Sequence, residues 1–467
     1  MSTTTEKPTS GFAELSKNKR VLSWCLLIFI LPINFGYELA LVGNILAIPS
    51  FLNKFGVTTA TGAKEISTHD QQILNASTTI GVFVAAYTTG FISDIIGRRL
   101  VVLLGCGLCI AGILVQGFSN SIMMLFGGKL ISTVGYGLGH TLGPVYVAEI
   151  APDSLRGVCL ILINTMIVLG QWSCALVGYG GSFIESDWGW RLPVFTQLVP
   201  PVLVLVLGGL LLPESPTWLL MKGRREEATK ALRKFNGPKH NVEETLAIME
   251  TTLEKERELN NRGASYLECF KGPNLRRTTI VVVVYLAQQL AGSNFVASYL
   301  PYFFTIAGVG NPIGIAQVCY SIQLLGNICS WFLVERTGRR PLIVWGIISM
   351  SGLLLLIGGL SVIENNQQAL AAVVAFMALW GFLLIPFLIN PSNANLGGKV
   401  AFVFFAPSLI CSVYLFFCFP EMKGRSYLEL EDMFQKGVPA RKFKDYKCEV
   451  ETVEGKDGEK VAVVLKD

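Results

Sequence analysis

The sequence predicts an all-α membrane protein made of two helical bundles related by pseudo-symmetry. Three observations carry this. Apolar runs of about twenty residues recur along the chain, each long enough to cross a bilayer core of roughly 30 Å. Hydrophobic residues make up 51% of the 467 positions and charged residues only 15%, too few charges to cover the surface of a soluble chain of this size. One short pattern is also written twice between such runs, as Asp94-Ile95-Ile96-Gly97-Arg98-Arg99 and as Glu335-Arg336-Thr337-Gly338-Arg339-Arg340, with a Pro-Glu pair closing each half at Pro213-Glu214 and Pro420-Glu421. Two copies of one pattern imply two structurally equivalent bundles.

Taken in order, residues 1–20 are polar and read as a cytoplasmic tail. They hold no apolar core, so no cleaved signal peptide is expected and the first span acts as the insertion signal. Residues 21–212 form a six-helix bundle with spans near 21–48, 72–94, 100–118, 122–150, 158–181 and 192–212. Inside the bilayer each run must be helical, because only a helix satisfies its own backbone there. Residues 213–277 are polar and mix both charges, as in Arg224-Arg225-Glu226-Glu227. They read as a cytoplasmic linker with short amphipathic helices. Residues 278–419 form a second, shortened bundle with spans near 279–305, 312–334, 341–362, 369–389 and 400–419, and residues 420–467 form a cytoplasmic tail.

The two halves do not match in length. Arg99 and Pro213 are 114 residues apart, but Arg340 and Pro420 only 80, a shortfall of about one span and its loop. An eleventh span would also leave the tail outside, although Lys423, Arg425, Arg441, Lys442 and Lys444 favour the cytoplasm. The second half therefore reads as internally deleted around its tenth and eleventh helices.

The net charge of +5 is informative only through its distribution. Basic residues collect in alternate loops, as the positive-inside rule requires, and form no continuous stripe for nucleic acid. The eleven cysteines lie mostly within spans without metal-ligand spacing and read as small buried hydrophobes. No nucleophile–base pairing, phosphate loop or metal cluster is present, so neither enzyme activity nor a cofactor is expected. Asn75-Ala76-Ser77 fits a glycosylation sequon but lies at the start of a span. His140 reads as a packed, hydrogen-bonded side chain, with a proton relay as the alternative.

Several side chains stand out chemically. Each Gly-Arg-Arg turn can reverse the chain at glycine, while its arginines bond helix-end carbonyls or pair with the preceding acid. Such a turn is either a releasable latch or a fixed topology anchor. Glu38 is a carboxylate deep in the first apolar run, where charge is costly enough to mark function. Gln171, Gln288, Gln289, Asn294 and Gln323 are amides in apolar spans, able to donate and accept hydrogen bonds. A few convergent polar groups on apolar walls suit a small-molecule site; taken singly, each amide could instead join two helices.

One set of elements runs through residues 36–425: Gly36-Tyr37-Glu38, the Asp94 to Arg99 turn, Pro144 to Glu149 with Arg156-Gly157, and Pro213-Glu214-Ser215-Pro216 in the first half. The second half adds Gln288-Gln289 with Gly292 and Asn294, the Glu335 to Pro341 turn, and Pro420 to Arg425. On these the chain resembles the sugar porter family of the major facilitator superfamily, of the fungal hexose and alpha-glucoside type. The resemblance implies a major facilitator fold, here with about 11 spans instead of 12, at the plasma membrane. It implies a monomer that moves a sugar, with protons, by alternating access.

By residue, the resemblance implies that Glu38 and Lys129 form the proton-coupling pair, where relatives carry Asp and Arg. A cation beside Glu38 favours its ionised form, and withdrawing that cation would let a proton bind. The resemblance places Gln171, Gln288, Gln289, Asn294 and Gln323 at the sugar. It makes Asp94, Arg98, Arg99, Glu149, Arg156, Glu335, Arg339 and Arg340 the gating charges. Trp380 is the nearest substitute for an aromatic wall lost with the missing stretch. Two other readings stay open: a transport-defective truncated paralogue or sugar sensor, and a transporter of a polyol acid or a fungal secondary metabolite.

Overall fold

The computed structural model describes residues 19–58, 64–151, 153–236, 242–261, 269–290, 300–301, 304–305, 310–337, 339–360, 372–377, 379, 400–422, 430, 433–443, 446, 450–454 and 460–464. The chain divides into two compact units. One holds Met1–Glu258 with Ala297–Asn327 and Asn390–Asn395, and the other holds Leu259–Val296, Ile328–Ile389 and Leu396–Asp467.

In the first unit, α1 (Lys19–Leu46) is followed by the short α2 (Pro49–Phe55) and a small antiparallel pair, β1 (Val57–Thr58) with β2 (Lys64–Glu65). Then come α3 (Thr68–Ile96), α4 (Arg98–Gly117), α5 (Ile122–Ile150) and α6 (Asp153–Gly181). The sixth span, expected as one run over 192–212, is two helices: α7 (Trp188–Thr196) and α8 (Val199–Leu211). Pro200 and Pro201 sit in the first turn of α8, where a missing N–H costs nothing but an unbroken helix through them would lose its bonds. The polar linker carries α9 (Pro216–Met221), α10 (Arg225–Asn236) and α11 (Val242–Asn261). Ala228, Ala231, Leu232 and Phe235 form the buried stripe of α10, at the three- and four-residue spacing of an amphipathic helix.

Beyond the linker lie α12 (Gly272–Leu290), α13 (Pro312–Thr337), α14 (Arg339–Leu360) and α15 (Val400–Cys418), and, in the tail, the antiparallel strands β3 (Val450–Glu454) and β4 (Lys460–Val464). Ile280, Ala287, Ile347, Leu415 and Phe419 pack with Met433, Phe434 and Phe443 as the core of the second unit. Among the described residues eight helices are long and apolar enough to cross a membrane, and the Pro407–Cys418 stretch is a shorter apolar helix. The run expected at 369–389 and the junction around Trp380 lie mostly outside the described residues.

Residue placement on α3 shows which solvent this fold answers to. Beyond Leu74 its inward face is made of small or polar side chains, Ser77, Gly81, Ala85, Thr89 and Ser93. Its outward face carries Phe83, Tyr87, Phe91 and Ile95, each more than half exposed. That is the reverse of a soluble helix. Lipid accepts the aromatics, so tight helix contact must come from small residues.

The same logic seats α4 on α5. A Cβ on Gly112 would lie 2.6 Å from the Gly128 carbonyl oxygen, and one on Gly135 would lie 2.6 Å from the Gly105 carbonyl oxygen. Likewise a Cβ on Gly36 in α1 would overlap the Ile167 carbonyl oxygen of α6, and one on Gly170 would overlap that of Ile33. Both pairs of helices meet backbone to backbone. The turn between α3 and α4 depends on Gly97, whose φ of 95° lies where a side chain is strained.

Two variants of α4 separate these roles. Gly112→Val should destabilise the purified protein by roughly 1–3 kcal/mol, the usual range for overpacking, while Gly107→Val, with nothing within 4 Å of its Cβ, should be near neutral. Thermal unfolding in detergent reads the difference.

Candidate functional site

Glu38 projects from α1 into the interior of the first unit, its side chain 0% exposed, and pairs with the ammonium of Lys129 from α5, itself 2% exposed. The Gln197 amide nitrogen, at the break between α7 and α8, donates to the second carboxylate oxygen of Glu38. Removing two charges from water costs several kcal/mol per ion, so the site needs both the opposite charge and the extra donor. The backbone contact of α1 with α6 and that of α5 with α4 hold these groups in register.

A polar shell surrounds the pair. Ser132 and Thr133 donate to the Lys129 carbonyl at 2.9 and 2.7 Å, and Thr133 and the Tyr136 hydroxyl lie 2.6 Å apart. Gln116 of α4 donates to Ser132 at 2.8 Å. Tyr37, the neighbour of Glu38, donates to the Pro193 carbonyl at 2.9 Å. The Oε1 of Gln197 is buried without a hydrogen-bond partner. His140 stacks on Phe35 with ring centroids 4.1 Å apart, and its Nδ1 has no hydrogen-bond partner. It is packed as the sequence suggested, but that ring nitrogen is left unbonded.

Two of the five amides meet. Gln171 of α6 and Gln323 of α13 are each 3% exposed, and the Gln323 amide donates to the Gln171 carbonyl oxygen at 3.2 Å. The same two helices are joined by Thr165 to Asn327 at 2.6 Å and by Trp172 to Ser321 at 3.0 Å. Asn294 lies outside the described residues. Gln288 and Gln289 fall on α12, Arg156 on α6, Glu335 on α13 and Arg339 on α14, and the side chains of all five lie outside the description.

Of the charges expected at the first turn, Asp94, Arg98, Arg99 and Glu149 form one cluster. Arg98 binds Asp94 at 2.9 Å, Glu149 at 3.1 Å and the Ser93 carbonyl at 3.0 Å. Arg99 donates to the Gly209 carbonyl at 2.6 Å. The arginines therefore do both things the sequence allowed, pairing with acids and bonding helix-end carbonyls. Glu214 ties the cluster together: its carboxylate accepts the backbone N–H groups of Arg98, Arg99 and Ser215 at 2.9 to 3.1 Å. It thus caps the amino end of α4, where a negative charge is favoured. Burial pushes the Glu214 carboxyl above its ordinary value, against the pull of those backbone donors.

The second half repeats this at the level of single bonds. The Arg340 backbone N–H donates to Glu421 at 3.1 Å, and its guanidinium donates to the Phe416 carbonyl at 2.8 Å. Gly209 and Phe416 each stand five residues before their glutamate. The repeated turn and the repeated Pro-Glu pair are two ends of one motif.

Neither the contact of Gln197 with Glu38 nor the cap made by Glu214 is evident from the sequence. Gln197 is an amide inside an apolar run, the same signal that marked Gln171. Glu214 stands in the sequence as part of a repeated motif, and only the folded chain shows that its carboxylate accepts the backbone N–H groups of Arg98 and Arg99, 116 and 115 residues away.

The chain matches the sugar (and other) transporter family over residues 24–384. It is 28% identical over 488 aligned residues to the general alpha-glucoside permease of Saccharomyces cerevisiae, covering 94% of this chain and 79% of that protein. It is also 28% identical to a maltose permease of the same yeast, over 92% of this chain and 78% of the relative. Among solved structures it is similar to the proton:xylose symporter XylE bound to 6-bromo-6-deoxy-D-glucose, with a TM-score of 0.69 and 21% identity over 89% of this chain and 99% of that one. A partially occluded, inward-open form of XylE from E. coli gives a TM-score of 0.67 at 21% identity, over 87% of this chain and 100% of that one.

Removing one member of the buried pair should show its interdependence. Lys129→Met strands a buried carboxylate and should cost about 3–5 kcal/mol, while Lys129→Met with Glu38→Leu should recover most of that in thermal unfolding. A double variant as unstable as the single one would mean that the two charges do not compensate each other. Glu214→Ala, which strips the cap from α4, should cost about 1–2 kcal/mol in the same assay.

Proposed function

The chain belongs to the sugar porter family of the major facilitator superfamily, and from that premise we propose that it imports a sugar across the plasma membrane by proton symport. Glu38 is the proton site in this reading, and Gln171 and Gln323 are among the groups that meet the substrate. The chain is a multi-pass membrane protein of a transporter family, and the relatives it matches are permeases. The named relatives take alpha-glucosides or maltose, and XylE takes xylose with protons. This supports a hexose or small glucoside as the substrate.

The observation that carries the coupling is the buried contact of Glu38 with both Lys129 and Gln197. A proton on Glu38 cancels its charge and frees the ammonium, so the helices that bear them lose their electrostatic tie. Gln197 fits either state. Its N–H group donates to the carboxylate now, and its Oε1, buried without a partner, can accept from the carboxylic acid after an amide flip. A neutral amide in that place lets the acid gain and lose a proton without ever being left unbonded. The Gln171–Gln323 contact supports a substrate role in a similar way, since a sugar hydroxyl can both donate and accept as it replaces one amide as the other's partner.

The shortened second half favours one alternative, a sugar receptor that does not transport. The same experiment addresses it. Expressed in a cell without its own sugar porters, the protein should accumulate labelled alpha-glucoside or hexose above the outside concentration, and an uncoupler should abolish this. Glu38→Gln at equal surface abundance should only equilibrate the sugar. Unchanged accumulation in Glu38→Gln would remove Glu38 from coupling, and binding without uptake would establish the receptor. Gln323→Ala and Gln171→Ala should each raise KM about five- to tenfold, the worth of one net hydrogen bond.

A further inference from the structure

Helices α6 and α13 come from different halves of the sequence, yet they are bonded side chain to side chain at three levels. The Trp172 indole nitrogen donates to the Ser321 hydroxyl at 3.0 Å, the Gln323 amide to the Gln171 carbonyl oxygen at 3.2 Å, and the Thr165 hydroxyl to the Asn327 carbonyl oxygen at 2.6 Å. Residue numbers fall along α6 as they rise along α13, so the two helices run antiparallel in a single register. Ser321 in turn donates to the Gln317 carbonyl of its own helix at 2.8 Å, which leaves its oxygen free to accept from Trp172.

The third bond differs from the others in where it lies. Thr165 precedes Gln171 by six residues and Asn327 follows Gln323 by four, about 9 and 6 Å along their helices. Both steps lead toward the basic turns. α6 begins shortly after Glu149, which Arg98 holds, and α13 ends at Thr337, next to the second Gly-Arg-Arg. That side is cytoplasmic by the positive-inside rule. Thr165 and Asn327 are buried there, 7% and 8% exposed. α13 also changes unit at this point: through Asn327 it belongs to the first, and from Ile328 on to the second. Among the described residues, Thr165–Asn327 is the side-chain bond of this seam nearest the cytoplasm.

Its chemistry suits a closure that opens in every cycle. A neutral hydroxyl–amide bond is weaker than the charged bonds around Arg98. Both groups can also turn to water when parted, so neither the closed nor the open state strands a polar atom. We infer, on the reading in which Gln171 and Gln323 meet the sugar, that Thr165 and Asn327 form an inner gate. Their bond closes the way from the amide pair to the cytoplasm and breaks when the site opens inward. A sugar that parts Gln171 from Gln323 loosens the same seam about one to two turns away, which links occupancy of the site to opening of the gate.

Hydrogen–deuterium exchange of the full-length protein in lipid nanodiscs, read by mass spectrometry, tests this without requiring transport. Thr165→Val should speed exchange about fivefold, the worth of one net hydrogen bond, in the parts of α6 and α13 on the cytoplasmic side of the amides. It should slow exchange in the parts on the outer side, because opening one end closes the other. Asn327→Leu should do the same, and the double variant should go no further than either single one. Thr165→Ser, which keeps the hydroxyl, should match the unaltered protein. Faster exchange at both ends in Thr165→Val is loss of packing alone and would overturn the gate. So would an unchanged pattern, or a Thr165→Ser variant that behaves like Thr165→Val. Opposed changes at the two ends in a chain that takes up no sugar would keep the gate and refute transport, whereas uptake without them would refute the gate alone.

Discussion

The rest of the structure depends on keeping one carboxylate, that of Glu38, out of both water and lipid. An ion in that position is tolerable only with a counter-ion and a further donor, each placed to within a fraction of an ångström. Lys129 meets this need from α5 and Gln197 from the break between α7 and α8, so three segments far apart in sequence must converge on one point. Glycine makes the convergence possible. With α1 lying backbone to backbone on α6, and α5 on α4, the charged side chains reach each other across an interior too narrow for larger residues. The outward aromatics of α3 follow from the same constraint, because bulk excluded from the inside is placed in the lipid.

At the helix ends the chemistry is similar but the partners are backbone. Glu214 lies at the amino end of α4 and Glu421 at that of α14, and the arginine of each turn reaches back to a carbonyl five residues before its glutamate. Recurrence of the same atom pairs in both halves is stronger support for duplication than recurrence of letters. Where the halves part is equally informative. Cys25, Ile28 and Phe29 on the first helix of one half are buried, whereas Val281 and Tyr285 at the corresponding places in the other are more than half exposed.

Much of this was legible in the sequence, for physical reasons. A carboxylate or an ammonium in an apolar run is rare and costly, so Glu38 and Lys129 declared themselves one at a time, and the family resemblance joined them. The doubled turn announced the two bundles. Gln197 was harder to see, because a single amide in an apolar run has many uses and only the fold shows which acid it faces. The break between α7 and α8 was written in Pro200-Pro201, but a hydropathy run reads straight through prolines. The glycine contacts were also hidden: Gly107 and Gly112 look alike in sequence, and only the crossing helix distinguishes them. The pairing of Gln171 with Gln323 joins positions more than 150 residues apart, a separation that periodicity cannot bridge.

The most direct test of Glu38 as the proton site is infrared difference spectroscopy of the purified protein in lipid, recorded on adding sugar at several pH values. The proton-site assignment predicts a carboxylic-acid stretching band that changes with sugar, depends on pH and is absent in Glu38→Gln. A sugar-dependent spectrum identical in the two proteins would contradict it, and Glu38 would then be a fixed structural charge.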